Sequence, residues 1–232
     1  MTKLSSLSFL IPCYNDETTI ERVIAEAADV GKRVAKMFEM IVINDGSRDM
    51  TGSRLVRLAK KFKELHVITH PMNQGYGRTI KELYCTGKFE WFFSIPGDYQ
   101  VGASELLKLI PYIRRADMML GWRVRRNDPP NRLIVSWVYN TLLRVLFGLK
   151  LHDINSVRLM RRSILKNIDL TSPSAFVDAE LVIRAKRVGF RVAEVPIAHR
   201  ARQDARQGRG NQWRTIMETI RDMVRFPYEE NR

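Results

Sequence analysis

The chain has 232 residues, 45% of them hydrophobic, which is enough to bury the core of one α/β domain. Its 39 Lys and Arg residues against 25 Asp and Glu residues give a formal net charge of +14, which predicts an anionic partner: nucleic acid, acidic lipid or a phosphorylated substrate. The composition excludes a disulfide framework, because the two cysteines, Cys13 and Cys85, lie far apart, and we expect both to be reduced thiols. Polar residues interrupt the most apolar run, 133–149, so we expect no transmembrane segment.

Strands and helices alternate along the first half of the chain. Apolar runs at 7–12, 40–43, 65–69 and 91–95 predict strands, and the segments between them carry apolar residues at helical spacing. Further strands are expected at 117–120 and 191–197, and an apolar helix follows Pro129 and Pro130. This order favours a single α/β domain with a mostly parallel central sheet flanked by helices.

Polar residues follow each of the first four strands. These segments are 15–17, 44–49, 73–77 and 98–100, and they meet at the sheet edge where ligands of open α/β folds bind. Gly46, Gly75 and Gly77 allow close approach of the backbone to a ligand, and the helix N-termini behind the loops favour phosphate. The sequence has neither the dinucleotide fingerprint nor a Walker-type loop. A binding cleft is predicted, although ordinary turns would explain any single loop.

Asp98 and Gln100 follow the strand at 91–95, after the chain break made by Pro96 and Gly97. A carboxylate and an amide oxygen two residues apart suit a hard divalent cation that is shared with a diphosphate. We therefore predict that Asp98 and Gln100 bind Mg²⁺ or Mn²⁺, with a plain strand-to-loop turn as the alternative.

Four ordered segments, 11–17, 42–51, 73–77 and 98–100, resemble the motifs of the family-two inverting glycosyltransferases. Within that family the chain is most similar to the polyprenyl-phosphate (dolichyl-phosphate) sugar transferases, and the similarity continues through 121–123, 132–136, 153–158 and 194–197. The resemblance implies a Rossmann-like, A-type nucleotide-sugar domain at 1–210. Its nucleotide-sugar half would span about 1–100 and its acceptor half about 101–210, before a C-terminal amphipathic helix and tail at 211–232.

The resemblance also implies a nucleotide-sugar pocket in the strand-end loops. The implied residues are Pro12, Tyr14, Asn15, Glu17, Asp45, Gly46, Asn73, Gly75 and Asp98. Asp45 would hold the base or the ribose, because a carboxylate accepts hydrogen bonds from base N–H groups and sugar hydroxyls. The chain departs from its relatives at Pro96, which replaces the first carboxylate of Asp-x-Asp-x-Gln, and at Asn44, which replaces the first of two acidic residues. Fewer carboxylates hold a cation less strongly, so weaker metal binding, an altered donor and lost activity all stay open.

On the acceptor side, Arg123, Arg132 and Ser136 match motif positions of the lipid-phosphate transferases. Guanidinium groups bind phosphate bidentately, so we predict that the two arginines clamp an acceptor phosphate, with a solvated basic loop as the alternative. The apolar helix that follows would be a core helix or would contact an isoprenoid tail or a membrane surface.

The resemblance implies three catalytic candidates besides Asp98. Asp178 matches the general base of relatives that glycosylate hydroxyl groups, and Glu180 is closer to the position matched in lipid-phosphate enzymes. A phosphate acceptor is already anionic and needs little base assistance, so a need for Asp178 discriminates between the two acceptors. The alternative is that both carboxylates serve only as helix N-terminal charges. The segment 199–211 is rich in arginine and predicts a loop that closes over the leaving diphosphate, with Arg202 as the candidate. His199 is predicted to be structural.

Together these features predict an inverting hexosyltransferase that moves a sugar from a GDP- or UDP-sugar to a polyprenyl phosphate or another lipid acceptor. The C-terminal helix has an apolar stripe flanked by arginines, which predicts peripheral binding to an anionic membrane surface on the cytoplasmic side. The alternatives are a transferase to a hydroxyl of a polysaccharide or glycolipid, and a membrane-associated pseudoenzyme that binds nucleotide without turnover. No nucleic-acid partner is expected, because no recognisable module is present, and a homodimer stays open.

Overall fold

The computed structural model describes residues 3–126, 128–201 and 213–229, without the side chains of residue 131 and residues 227–229. Within these ranges seven strands form one sheet in the order β3-β2-β1-β4-β6-β5-β7. The strands are β1 (Leu4–Cys13), β2 (Ala35–Asn44), β3 (Leu65–Thr69), β4 (Trp91–Ser94), β5 (Met118–Arg123), β6 (Arg158–Arg161) and β7 (Val192–Ile197). All neighbouring strands are parallel except β6, which runs antiparallel to β4 and to β5. The predicted α/β class with a mostly parallel sheet is confirmed.

Helices cover both faces of this sheet. The α-helices of the described ranges are α1 (Ile20–Val34), α2 (Thr51–Lys61), α3 (Tyr76–Thr86), α4 (Leu106–Leu109), α5 (Pro130–Phe147), α6 (Val177–Arg187) and α7 (Trp213–Glu229). Short 3₁₀ turns occur at Ala103–Glu105, Ile110–Tyr112 and Arg162–Lys166. Among the helices that the structure describes, none is long and apolar enough to cross a membrane.

Alternate residues of the central strands point into two separate apolar cores. Phe9, Val42 and Phe93 belong to the core under α1, and Leu10 and Phe92 belong to the core on the opposite face. This alternation is the two-residue period of a strand that is buried on both faces. The two cores extend over both halves of the sheet, and they fix the strand-end loops on a packed base.

The terminal helix α7 is part of the second core. Met223 and Phe226 are buried there, and the Phe226 ring lies 5.4 Å from Phe176, which precedes α6, and 5.7 Å from Phe147 of α5. The predicted apolar face of this helix is therefore divided. Met223 packs inward, while Trp213 and other members of the stripe are exposed.

The strand that the apolar runs did not predict is β6. It has only four residues, and two of them, Arg158 and Arg161, are arginines, so it lacks the apolar pattern of a buried strand. Arg158 is nevertheless buried, because it forms an ion pair with Asp178 inside the second core. Strands β1 and β2 are also longer than predicted, because their first residues carry polar side chains.

Candidate active site

The loops that follow β1 and β2 are joined by hydrogen bonds into one wall of a cleft. The Asn15 N–H donates to Ser47 Oγ at 2.9 Å, and Asn15 Oδ1 accepts from the Arg48 N–H at 2.8 Å. Glu17 Oε2 accepts from the Met50 N–H at 3.0 Å. Two residues that the sequence placed in the nucleotide pocket, Asn15 and Glu17, therefore lie where β1 and β2 end, next to each other in the sheet.

Asp45 lies buried beneath the loop that follows β3. Its Oδ1 accepts from the Gln74 N–H at 2.7 Å and lies 2.8 Å from His70 Nδ1. Its Oδ2 accepts from Asn73 Nδ2 at 2.8 Å and from the Gly75 N–H at 3.0 Å. These contacts show that Asp45 shapes the segment 73–75, while its contact with a base or ribose stays a prediction.

Gly46 and Gly75 of these loops both have a positive φ, but their surroundings differ. Gly46 has a φ of +68°, and a Cβ there would lie 2.5 Å from the backbone carbon of Met72, so the loops after β2 and β3 pack directly on each other. Gly75, with a φ of +91°, precedes α3, and a Cβ there would meet nothing within 4 Å. The backbone at Gly75 therefore faces open space in front of a helix N-terminus, as a phosphate site requires.

The loop after β4 is held against the loop after β1. The Gly97 N–H donates to Pro12 O at 3.1 Å, and Thr19 Oγ1 donates to Gly97 O at 2.7 Å. Within the loop, Asp98 Oδ1 accepts from the Gln100 N–H at 3.0 Å. These bonds place Asp98 and Gln100 at the same edge of the sheet as the pocket residues above.

Tyr99, between the two predicted metal ligands, has a φ of +59° and lies between two cations. The Arg22 guanidinium lies 4.5 Å and the Arg200 guanidinium 4.3 Å from its ring centre. The Arg200 N–H also donates to Gln100 O at 2.8 Å, so the chain after β7 starts at the predicted metal loop. Arg202, the predicted member of the closing loop, lies outside the described residues.

The residues at this turn fit a divalent cation with few protein ligands. Asp98 supplies a carboxylate, and Gln100 is a buried amide whose side-chain oxygen is the atom that can bind a cation. Those residues contain no cluster of three His, Cys, Asp or Glu side chains. Such a site suits Mg²⁺ or Mn²⁺ that completes its shell with water and substrate phosphate, and Pro96 adds no ligand to it.

Three arginines, here called the arginine cluster, lie at the end of β5 and at the start of α5. They are Arg123, Arg126 and Arg132. Arg123 forms a bidentate pair with Asp153, with Nε–Oδ2 at 2.6 Å and Nη2–Oδ1 at 2.7 Å. Asp128 pairs with Arg126 at 2.7 Å and with Arg132 at 2.9 Å. The predicted clamp arginines thus hold carboxylates of their own chain, in the geometry that also suits phosphate.

The arginine cluster interacts electrostatically with Asp98 of the predicted metal site. Burial opposes the charge of Arg123, but Asp153, followed by Asp128 and Asp98, raises the pKa of its guanidinium. Burial and the positive charge of Arg123 lower the pKa of His199 to about 4, so this imidazole is neutral at pH 7. The donor side and the acceptor side therefore share one electrostatic environment.

A cavity of about 340 Å³ lies between α5 and α7, and all three members of the arginine cluster line it. Ser136, the third predicted acceptor residue, also lines it and accepts a hydrogen bond from Arg126 Nη1. The other lining residues are Ile134, Val135, Val138, Tyr139, Asn140, Leu142, Asn155, Ala175, Thr215, Ile216, Thr219 and Ile220. Because cationic groups meet a mainly apolar wall, the cavity suits an amphiphile with an anionic head.

Asp178 does not line this cavity and lies in the interior. Its Oδ1 lies 2.8 Å from Nη2 of Arg158, both side chains are nearly fully buried, and the Tyr76 hydroxyl donates to Oδ2 at 3.0 Å. Both carboxylate oxygens are therefore engaged by residues of the interior, and the general base stays a prediction.

Glu180 is fully buried in the same first turn of α6. It accepts the N–H groups of Thr171 and Ser172, each at 2.9 Å, and pairs with Arg184 at 2.9 Å. These bonds fix the segment before α6 to the helix. The structure thus brings together the strand-end residues and Asp98, and it brings the arginine cluster to a cavity, but it buries both carboxylates of α6.

A family model described as glycosyl transferase family 2 matches residues 8–169. The chain belongs to glycosyl transferase family 2. This glycosyltransferase is 30% identical over 213 residues to the polyprenol monophosphomannose synthase of Mycolicibacterium smegmatis, with 84% of this chain and 77% of that protein covered. It is 25% identical over 233 residues to the dodecaprenyl-phosphate galacturonate synthase of Rhizobium johnstonii, with 96% of this chain and 68% of that protein covered.

Among solved structures, the glycosyltransferase is similar to glucosyl-3-phosphoglycerate synthase from Mycobacterium tuberculosis, crystallised with Mn²⁺, uridine diphosphate and glucosyl-3-phosphoglycerate. The TM-score is 0.74 at 18% identity, and 95% of this chain and 79% of that chain are covered. At this identity the likeness concerns the fold, and it confirms the predicted glycosyltransferase fold class.

Sequence reasoning did not single out Arg126, Asp128, Asp153 and His70. Two of them could have been found from the sequence, because Arg126 lies in a basic run, 123–126, and Asp153 begins a segment that resembles relatives. No sequence pattern points to Asp128 or His70, because their importance lies in contacts with residues that only the fold brings near.

Proposed function

We propose that this glycosyltransferase moves a sugar from a GDP- or UDP-sugar to a polyprenyl phosphate, with inversion at the anomeric carbon. The observation that carries the proposal is the cavity between α5 and α7, where the arginine cluster meets an apolar wall. The cationic end matches a phosphate, and the apolar wall matches an isoprenoid chain. The two curated relatives described above are named for syntheses on polyprenol and dodecaprenyl phosphate, which supports the same acceptor class.

In the proposed reaction, an acceptor phosphate oxygen attacks the anomeric carbon while the bond from that carbon to the nucleoside diphosphate breaks on the opposite face. The arginine cluster would hold the acceptor phosphate with guanidinium N–H donors other than those that bind Asp128 and Asp153, because each guanidinium carries five donors. Asp98 and Gln100 would hold Mg²⁺ or Mn²⁺, which offsets the charge of the leaving diphosphate. The loops after β1, β2 and β3 would hold the nucleotide through Pro12, Tyr14, Asn15, Glu17, Asp45, Gly46, Asn73 and Gly75.

The burial of Asp178 favours a phosphate over a hydroxyl acceptor. A hydroxyl must lose its proton as it attacks, whereas a phosphate is already anionic. Asp178 was the general-base candidate that the sequence offered, and Arg158 and Tyr76 hold this side chain. A hydroxyl acceptor is therefore the less supported alternative. Because Pro96 replaces the first carboxylate of the metal motif, a pseudoenzyme that binds nucleotide without turnover is the third alternative. The assay below distinguishes it from the two transferases.

We also propose that the enzyme binds the cytoplasmic leaflet peripherally through α5 and α7. On α5, Ile134, Trp137 and Val145 are 62%, 69% and 76% exposed, and on α7 Trp213 is 74% exposed. Exposed apolar residues on two neighbouring helices are unusual for a surface in water. Arg214 and Arg221 of α7 are exposed as well, which suits acidic headgroups.

The test measures sugar transfer from UDP- and GDP-sugars to two acceptors, undecaprenyl phosphate and undecaprenol. Each reaction is run once with Mn²⁺ and once with a chelator. The proposal expects product only on the phosphate. Arg123→Gln and Arg132→Gln should raise the Michaelis constant of the lipid about tenfold or more and leave that of the donor unchanged. Arg161→Gln is the matched control, because Arg161 is a half-buried, ion-paired arginine at the opposite end of the sheet. Product on undecaprenol would instead favour the hydroxyl acceptor, and donor binding without any product would favour the pseudoenzyme.

A further inference from the structure

Both ring nitrogens of His70 lie against carboxylate oxygens. Nδ1 is 2.8 Å from Asp45 Oδ1, and Nε2 is 2.9 Å from Glu82 Oε2. The ring is 6% exposed, so water does not compete freely for these nitrogens. A neutral imidazole can donate from only one nitrogen, and its other nitrogen presents a lone pair. Two ionised carboxylates are therefore both satisfied only when His70 is an imidazolium.

The carboxylate at Nδ1 is the one that shapes the donor loop. Asp45 Oδ1 receives the Gln74 N–H as well as His70, and Oδ2 receives Asn73 and the Gly75 N–H. A neutral His70 can donate to only one of the two carboxylates, so loss of either proton breaks the tie between Asp45 and Glu82. Without the proton on Nδ1, its lone pair would repel Asp45 Oδ1, and without the proton on Nε2, the ring would no longer be held to α3 by Glu82. Either loss leaves Asp45 and the two backbone N–H groups that it accepts less firmly fixed.

We propose that His70 is a positioning residue for the donor: its imidazolium ties Asp45 to Glu82 and thereby fixes the segment 73–75 in the shape that receives the nucleotide-sugar. This inference rests on the proposed function, because it takes the loops after β2 and β3 as the donor site. It adds a residue that acts through Asp45 and does not itself contact the substrate.

The pH range of the effect follows from the groups that face His70. In the described part of the chain these charged groups are Asp45, from the loop after β2, and Glu82, from α3. Burial opposes the charge, but the hydrogen bonds to Asp45 and Glu82 outweigh it and raise the pKa of His70 above 6.5. A raised pKa in the folded state means that the contribution is complete below the unfolded pKa and is lost as the pH rises through the folded pKa. Donor affinity should fall over the same range.

Nuclear magnetic resonance of the ligand-free, full-length protein measures the charge directly. The chain has four histidines, and comparison with His70→Gln assigns the signals of His70. We expect both nitrogens to be protonated at about pH 6 and the titration of His70 to lie above that of an ordinary histidine. Glu82→Gln should lower this pKa, because it removes one of the two negative charges. A neutral His70 at about pH 6 would overturn the inference.

Calorimetry with UDP-glucose and GDP-mannose in the presence of Mn²⁺ tests the consequence. Neither the diphosphate nor the base of these donors changes its protonation between about pH 6 and about pH 8, so a dependence on pH within this range belongs to the protein. We expect His70→Gln to bind the donor about tenfold more weakly and without the alkaline decline of the native protein. Glu82→Gln should keep tight binding at low pH and move the decline to lower pH, a shift that a merely structural role would not produce.

Glu90→Gln is the matched control. Glu90 is 47% exposed against 41% for Glu82, it is also ion-paired, and it precedes β4 at the opposite end of the sheet. It should bind like the native protein. Native affinity and native pH dependence in His70→Gln would overturn the inference. If neither nucleotide-sugar binds the native protein, the proposed function fails instead, and the resonance titration still decides the charge of His70.

Discussion

Among single residues, the acidic side chains near the site differ by what they already hold. Asp178 and Glu180 each bind a buried or partly buried arginine, and Asp45 binds a loop. Asp98 lies in a turn after β4 and is only partly buried. These differences separate the carboxylates whose loss should alter function from those whose loss should alter stability.

Asp98→Asn should remove metal-dependent donor binding and leave the fold intact. The amide keeps the size of the side chain but not the charge that attracts a cation, and a partly buried turn residue contributes little to the core. Calorimetry with a nucleotide-sugar, with and without Mn²⁺, measures the first effect, and thermal unfolding measures the second. Native binding by this variant would show that Asp98 is not a ligand.

Asp178→Asn should mainly lower stability, by about 3 kcal/mol, because a fully buried Arg158 would lose its counter-charge. Turnover per folded molecule should change little with a phosphate acceptor. Urea unfolding and transfer assays on the same preparation separate the two effects. Asp169→Asn, at an exposed position before α6, is the control. A large loss of turnover at unchanged stability would instead support a general base.

At the scale of elements, the pairing of α5 with α7 makes the acceptor cavity. α7 is fixed by Met223 and Phe226, so its other residues present a defined wall to the cavity. Thr219 is a buried member of this wall. The proposed acceptor site therefore depends on how two helices pack, as well as on the arginine cluster.

Thr219→Phe should fill part of the cavity and raise the Michaelis constant of a long-chain lipid phosphate about tenfold, with little change for the donor. A short-chain analogue should be affected less, because it needs less of the apolar wall. Val224→Phe, on the exposed side of the same helix, adds the same ring outside the cavity and serves as the control. Equal effects of both variants would place the lipid elsewhere.

The sequence predicted β1 to β4 and their loops because buried parallel strands produce apolar runs and the polar residues between them are local in the chain. It could not predict β6, since the apolar signal is hidden by Arg158 and Arg161. It named Arg123, Arg132 and Ser136, yet not their partners Asp153 and Asp128. Contacts of this kind join residues from separate elements, and a single sequence carries no periodic pattern for them.

At the scale of the whole molecule, two of the exposed apolar residues of α5, Ile134 and Val138, also line the cavity that would admit a lipid. A protein with a formal net charge of +14 is also attracted to acidic membranes. Deleting α7 would be a poor test of docking, because it would also remove Met223 and Phe226 from the core. Substitutions on the exposed face test the surface without removing its support.

Trp137→Glu and Trp213→Glu should each weaken co-sedimentation with anionic vesicles. The native interaction should also decline steeply with salt, since each surface Lys or Arg contributes about 1 kcal/mol of attraction. Met37→Glu makes the same change of charge at an exposed apolar residue of β2 and should bind like the native protein. If vesicle binding is unchanged but the oligomer mass falls in sedimentation velocity, the surface serves a homodimer instead.

The position of β6 between β4 and β5 also affects how the chain is made. In the described sheet, β4 pairs with β1 and with β6, and β5 pairs with β6 and β7, so the second neighbour of β4 and both neighbours of β5 come later in the chain. During synthesis at about 5–20 residues per second, the open edge of the aromatic strand Trp91–Ser94 therefore stays exposed for several seconds. Unpaired strand edges are templates for association between chains. A ribosome that stalls before Arg158 would thus release a fragment with an open, apolar strand edge, and such fragments are expected to aggregate or to be held by chaperones.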